Sequence, residues 1–420
     1  MEKLIIQGQK RLSGTVQVSN SKNATLPIMA ACLLTSETCR IKNVPNLTDI
    51  KTMTNLLKAL GVDVEYKDNN LIITSGDKIG KEAPYEIVSQ MRASYYVLGP
   101  LLARFGEAKV SLPGGCAIGP RPIDLHLRGL EHLGAEIRVE HGYIIAKANK
   151  LKGNEMTLAG NKGPSVGATA NVMMAATKAK GKTIIAGAAC EPEIVDLANF
   201  LNTIGAKIKG AGTPVIEIEG VDELAGGEYE PIPDRIEAGT LTIAGAITGS
   251  TIEITNIRTD QMVAVIEQLS EIGCSLKIED RSLQIGLGQK PLPTEIVTAP
   301  YPGFPTDLQA QFMALLTLST GISTVTENIF ENRFLHALEL NRMGAKISIK
   351  GNVAIIEGVE KLTGAQVMAS DLRASAALIL AGLAAEGETE ISRIYHLDRG
   401  YENLEGKLIK LGAEIKRVSE

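Results

Sequence analysis

Six times along the chain an amphipathic, helix-like segment runs into a glycine and then into strand-like alternation. The segments end at Gly61, Gly134, Gly205, Gly273, Gly344 and Gly412, spaced 68 to 73 residues apart. In the first copy Ile50, Met53, Leu56, Leu57 and Leu60 fall on one face at helical spacing, with Thr48-Asp49 placed to cap the helix. Gly61 stops it, as a glycine that takes positive φ past a helix end does. Val62-Asp-Val-Glu-Tyr and Leu71-Ile-Ile-Thr then read as two strands joined through Asp68-Asn-Asn70. Upstream, Asn23-Ala-Thr-Leu-Pro-Ile-Met-Ala-Ala-Cys-Leu-Leu reads as a helix of small and apolar residues, followed by a strand over Thr38-Cys-Arg-Ile-Lys-Asn. Each copy therefore predicts helix, strand, helix, strand, strand. The equivalent first helices start near Ala93, Val166, Ala238, Leu308 and Arg373. They are apolar nearly all round, which predicts that they are central and buried.

A period this regular predicts an α/β protein of six repeats of about 70 residues. The sixth copy is one strand short. Lys3-Leu-Ile-Ile-Gln-Gly8 is similar to Val353-Ala-Ile-Ile-Glu-Gly358 of the fifth, so residues 1–19 are expected to close the last copy. The expected division is 20–229 for repeats one to three, and 1–19 with 230–420 for repeats four to six. Two crossings between the domains suit hinge closure.

Composition narrows the chemistry. The 420 residues are 44% hydrophobic but only 4% aromatic, with no Trp, so the cores are aliphatic. A net charge of −5 argues against a nucleic-acid surface. The five cysteines (Cys32, Cys39, Cys116, Cys190 and Cys274) have neither disulfide nor metal-ligand spacing, which points to a reducing compartment, the cytoplasm. No apolar run is long enough to span a membrane. The five histidines show no metal-binding spacing, and there is no nucleotide-phosphate loop or dinucleotide fingerprint. No metal and no cofactor are expected.

The entrances to the six buried helices carry Lys22-Asn23, Arg92, the 162–167 stretch, Asp234-Arg235, Asp307, and Asp371 with Arg373. Helix N-termini favour anions, so six of them turned to one cleft would suit a multiply anionic substrate. Taken singly, these residues also read as caps and surface ion pairs. The second repeat alone is interrupted by Gly114-Gly-Cys116-Ala-Ile-Gly-Pro-Arg121-Pro122, a loop with one thiol and one guanidinium. A thiol near Arg121 is a candidate acid or nucleophile, or simply a loop cysteine. Cys32 and Cys274 read as small core residues.

Over nearly its whole length the chain resembles the enolpyruvyl transferases. The most specific stretches are Asn20-Ser-Lys-Asn-Ala-Thr-Leu-Pro27, Met91-Arg-Ala-Ser94, Leu112-Pro-Gly-Gly-Cys-Ala-Ile-Gly-Pro-Arg-Pro-Ile-Asp-Leu-His126, Glu191-Pro-Glu-Ile-Val-Asp196, Pro233-Asp-Arg-Ile-Glu237, Phe304-Pro-Thr-Asp-Leu-Gln-Ala-Gln-Phe312, Phe330-Glu-Asn-Arg-Phe334, Asp371-Leu-Arg-Ala-Ser375 and Asp398-Arg-Gly-Tyr401. The resemblance implies a two-domain inside-out α/β barrel with three repeats per domain. It implies a cytoplasmic monomer that transfers enolpyruvate from phosphoenolpyruvate to UDP-N-acetylglucosamine without a metal, in cell-wall synthesis. Cys116 matches the family's general acid, which can also form a covalent adduct and is the fosfomycin target. Asp307 matches the base, and Asp371 a residue implicated in proton movement. Lys22, Arg121 and Arg399 match the phosphate side of phosphoenolpyruvate, Arg333 and Arg373 its carboxylate side, with Asn23 also near it. Asn23, Arg92, Arg121, Pro122, Ile123, Asp124, Leu125, Ser165, Val166, Gly167, Asp307 and Ile329 match the sugar-nucleotide contacts. Lys162 stands one position away from the family's lysine, so no nucleotide contact is assigned to it. The alternatives are the sister activity on shikimate-3-phosphate, which lacks the Gly-Gly-Cys loop, and a non-catalytic sugar-nucleotide-binding paralogue.

Overall fold

A computed structural model describes residues 2–112, 123–161, 163–286 and 288–419. The chain divides into two compact units, one of residues 20–112 with 123–232 and the other of residues 2–19 with 233–419. The return crossing thus falls after Ile232 rather than after residue 229.

Among the described residues each unit holds three four-stranded sheets of one design. In the fifth repeat Glu295–Val297 runs parallel to Ile322–Thr326, which pairs antiparallel with Val353–Glu357, which pairs with Lys346–Lys350. In the sixth repeat Glu2–Gln7 takes the place that Val353–Glu357 holds in the fifth, pairing antiparallel with both Glu388–Ser392 and Glu414–Ser419. The expectation that all of residues 1–19 close the sixth repeat is corrected in one respect. Ser13–Gln17 instead lies parallel to Thr251–Thr255 in the fourth repeat. Gly227–Tyr229 does the same for Thr38–Ile41 in the first. The edge strand of each repeat comes from the segment that precedes it around the unit, so each connecting stretch serves the next repeat.

The first helices are buried, as an unbroken apolar surface requires. In Arg235–Ile247 every residue from Ile236 onward is buried. It packs against Gln309–Leu316 and Leu372–Ala384, and those two pack against each other, around an aliphatic core that includes Leu241, Phe312 and Leu380. In the other unit Leu98–Phe105 packs on Val166–Ala176, and Lys22–Ala31 meets the turn Arg92–Val97, around a separate core that includes Met29, Leu101 and Met173.

All six periodic glycines have φ between +86° and +108°. Behind each, the same two bonds close the helix. At Gly205 its own N–H donates to the Asn202 carbonyl (3.1 Å) and the Ala206 N–H to the Leu201 carbonyl (2.9 Å), satisfying carbonyls the helix leaves open. A side chain at Gly205 would meet nothing within 4 Å. Conformation, not space, requires glycine there. Gly205→Ala is expected to cost about 1 kcal/mol of stability in denaturant unfolding, the strain of a left-handed alanine, and to leave substrate KM values unchanged.

Candidate active site

In the 20–232 unit, Ser21 caps the helix Lys22–Ala31 by accepting from the Ala24 N–H. This sets Lys22 in the first turn, only 8% exposed. Its ammonium lies 2.9 Å from Asp49 Oδ2, both side chains being almost fully enclosed. The sequence offered Thr48-Asp49 as a helix cap. Instead Leu47 holds the cap position with no side-chain bond, and Asp49 turns inward. An exposed cap and a buried counter-ion look alike in one sequence, because the partner comes from another helix.

A second group gathers where the second and third repeats meet. Asp124, Leu125 and His126 open the helix Asp124–His132, and Ser165, Val166 and Gly167 open Val166–Ala176, with Ser165 accepting from the Ala168 N–H. A methyl group on Gly167 would sit 2.9 Å from the His126 ring, so glycine is what allows the two helix starts to approach. Burial and the nearby Arg92 guanidinium lower the His126 pKa to about 4. Asn171 Oδ1 accepts from the Gly99 N–H, so its amide nitrogen faces His126 Nδ1 at 3.0 Å. The imidazole therefore accepts at Nδ1 and carries its proton on Nε2. His126 and Asn171 were not expected from the sequence; a buried histidine has no distinguishing spacing. The folded protein keeps His126 neutral where an unfolded chain would protonate it, near pH 6.5. Its contribution is thus full above pH 6.5 and is lost as pH falls towards 4. The stability of wild type relative to His126→Gln is expected to fall by about 3 kcal/mol over that window in unfolding titrations.

In the 233–419 unit, Asp307 lies on the turn Thr306–Leu308 that leads into Gln309–Leu316. Arg333 Nη2 donates to its Oδ1 at 2.6 Å and Arg373 Nη2 to its Oδ2 at 3.3 Å. The arginine side chains are 5% exposed, Asp307 30%. Burial works against the charged carboxylate, but Arg373 and Arg333 outweigh it and hold its pKa well below the usual range. Arg333 Nε and Arg373 Nη1 are buried with no hydrogen-bond partner among the described residues. Two cations thus share one carboxylate and keep spare donors.

Asp371 is the cap of Leu372–Ala384, its Oδ1 accepting from the N–H groups of Arg373 and Ala374 at 2.9 and 3.0 Å. The cap fixes the start of the helix that presents Arg373. Arg399 ends the turn Ile394–Arg399. That turn packs against the helix Leu372–Ala384. Beneath Arg373, 5.3 Å from its guanidinium, is the Tyr401 ring, whose hydroxyl lies 2.9 Å from Thr240 Oγ1 and accepts from Gln311 Nε2. Ile329 stands on the loop after Ile322–Thr326, its N–H bonded to Glu327. A cavity of about 330 Å³ lined by Arg235, Gln261, Met262, Tyr301 and Leu308 opens beside the Asp307 turn, without any of the ionic residues above.

Asn23 and Ile123 are half-buried in the 20–232 unit. Cys116, Arg121, Pro122 and Lys162 lie outside the described residues. Cys32 and Cys274 are buried, as core residues should be. Among the described residues no group of histidine, cysteine or carboxylate side chains has metal-binding geometry, and no helix is long and apolar enough to cross a membrane.

The structure thus joins an arginine pair around one carboxylate to an α/β chain of repeated four-stranded sheets. The sequence model of the family described as EPSP synthase (3-phosphoshikimate 1-carboxyvinyltransferase) matches residues 6–408, and the chain belongs to that family of enolpyruvyl transferases. Within it, a protein of Carboxydothermus hydrogenoformans named UDP-N-acetylglucosamine 1-carboxyvinyltransferase 2 is 57% identical over 423 residues, spanning 100% of both chains. A protein of Chloroherpeton thalassium named UDP-N-acetylglucosamine 1-carboxyvinyltransferase is 54% identical, over 99% of this chain and 97% of its own. In fold, the chain is similar to the enolpyruvyl transferase NikO from Streptomyces tendae, with a TM-score of 0.90 at 24% identity over 100% of this chain and 99% of that one. The EPSP synthase of Acinetobacter baumannii has a TM-score of 0.75 at 17% identity, with full coverage of both.

Proposed function

We propose that this chain transfers the enolpyruvyl group of phosphoenolpyruvate to the 3-hydroxyl of UDP-N-acetylglucosamine, releasing phosphate. Full-length relatives at 51–57% identity carry the name of that activity. The observation that carries the reading in this chain is the Arg333–Asp307–Arg373 clamp with its spare donors. A substrate carboxylate binds Arg333 and Arg373, while Lys22, Arg121 and Arg399 take the phosphate. Arg92, residues 122–125, the helix start at Ser165 to Gly167, Asn23 and Ile329 hold the sugar nucleotide, with its diphosphate favoured at a helix N-terminus. The fold is read as six repeats in two inside-out barrels, and the protein as a cytoplasmic monomer of cell-wall synthesis.

The chemistry needs an acid and a base. Cys116 gives a proton to the methylene carbon of phosphoenolpyruvate, leaving positive charge on the carbon that bears the phosphate. The sugar hydroxyl oxygen attacks that carbon as its proton passes to Asp307. The carbon–phosphate oxygen bond then breaks, the new methyl group returns a proton to the Cys116 thiolate and the Asp307 proton passes to the departing phosphate, so the enol ether and phosphate result with both residues restored. Clamped by two arginines, Asp307 is too weak a base for this. A substrate carboxylate that draws Arg333 and Arg373 to itself raises the Asp307 pKa, so the base is switched on by the substrate it serves. Asp371 steadies the helix that carries Arg373 and is assigned a part in proton movement.

The direct test is phosphate release from phosphoenolpyruvate, which must require UDP-N-acetylglucosamine; release without it, or none, contradicts the reading. Cys116→Ser is expected to abolish alkylation by the epoxide fosfomycin, followed by intact-protein mass; a label elsewhere in that variant contradicts the role given to the loop.

A further inference from the structure

Glu327 is a buried carboxylate, 3% exposed, that the chemistry above does not use. It follows the strand Ile322–Thr326, in a Thr-Glu-Asn run that reads as an ordinary polar loop. Its Oε1 accepts from Thr298 Oγ1 (3.0 Å), the Ile329 N–H (2.8 Å) and the Phe330 N–H (3.0 Å). Its Oε2 accepts from Thr306 Oγ1 at 2.7 Å. One side chain thus ties the turn bearing Asp307 to the loop bearing Ile329.

The Thr306 bond has a direction. An ionised carboxylate only accepts, so the hydroxyl proton of Thr306 points to Glu327. The Thr306 oxygen is then left as an acceptor, and Arg333 Nη1 donates to it at 3.1 Å. The other terminal nitrogen of the same guanidinium holds Asp307. A planar guanidinium fixed at both terminal nitrogens cannot rotate, which sets where its spare Nε–H points.

We propose that Glu327 is a positioning residue for enolpyruvyl transfer, which through the Thr306 hydroxyl orients the Arg333 guanidinium and with it the Asp307 carboxylate. The proposal rests on the function inferred above. Thr306 is the better place to break the relay, since Thr306→Val keeps shape and charge and removes only the hydroxyl. Thr306→Val is expected to raise the KM for phosphoenolpyruvate about tenfold, the scale of losing one hydrogen bond to a charged group, with the KM for the sugar nucleotide unchanged. Thr306→Ser restores the wild-type value. In a Glu327→Gln background, Thr306→Val adds nothing further, because the two residues act as one unit.

A second readout does not depend on turnover. With aspartate carboxyl carbons labelled and the Asp307 resonance assigned by its loss in Asp307→Asn, the carboxyl titrates at higher pH in Thr306→Val than in wild type or Thr306→Ser. A wild-type chain that turns over no substrate overturns the function while this titration still decides the relay. An unmoved Asp307 titration, a wild-type KM in Thr306→Val, failure of Thr306→Ser to restore it, or independent losses in the double variant overturns the positioning role.

Discussion

Asp307→Ala is expected to slow phosphate release by about two to four orders of magnitude, the range that a positioned general base contributes. The site predicts a second effect that a simple base would not show. Asp307 is the shared partner of two nearly enclosed arginines, so its removal leaves two like charges facing each other. Phosphoenolpyruvate, whose carboxylate replaces the lost one, is expected to stabilise the variant against heat more than it stabilises wild type, where it must displace Asp307. Sugar-nucleotide binding, measured by calorimetry, is expected to persist. A variant with a normal rate removes Asp307 as the base. A variant that phosphoenolpyruvate stabilises less than wild type contradicts the assignment of Arg333 and Arg373 to the substrate carboxylate.

Lys22→Ala is expected to lose both stability and function, for separable reasons. Lys22 and Asp49 form an ion pair with side chains 10% and 5% exposed, and removing one member of such a pair costs about 3 kcal/mol or somewhat more, mostly through the charge left in a poorly hydrated place. The same ammonium is assigned to the phosphate, and losing a charged hydrogen bond there lowers kcat/KM for phosphoenolpyruvate by about ten- to a hundredfold. Combining Lys22→Ala with Asp49→Ala removes the strain but not the defect. The double variant is expected to recover most of the melting temperature and none of the activity. Recovery of both would mean that Lys22 serves activity only as the structural partner of Asp49.

What was legible in the sequence was local. The six glycines announced themselves because a left-handed residue at a helix end admits few alternatives, and each has positive φ. The buried helices were legible because an all-apolar surface leaves them one place to go. Lys22, Arg92, Asp307, Arg333, Arg373 and Arg399 were named from short motifs. Their pairings were not, because these depend on contacts that no spacing encodes: Arg333 and Arg373 reach Asp307 from 26 and 66 residues away. Asp49 passed for a cap, Ser13–Gln17 found its neighbour across most of the chain, and Glu327 and His126 looked like ordinary polar residues. In each case the meaning of the residue lies in its partner. Asp307, named from its motif as a lone candidate base, is paired with two arginines.

Acceptor identity separates the sugar-nucleotide activity from its sister activity on the same fold. The chain should be given limiting phosphoenolpyruvate with equal amounts of UDP-N-acetylglucosamine and shikimate-3-phosphate, and the products resolved by mass. The expected products are the enolpyruvyl ether of the sugar nucleotide and an equal yield of phosphate, with shikimate-3-phosphate untouched. Enolpyruvyl transfer to shikimate-3-phosphate, or to neither acceptor, would contradict the proposed function.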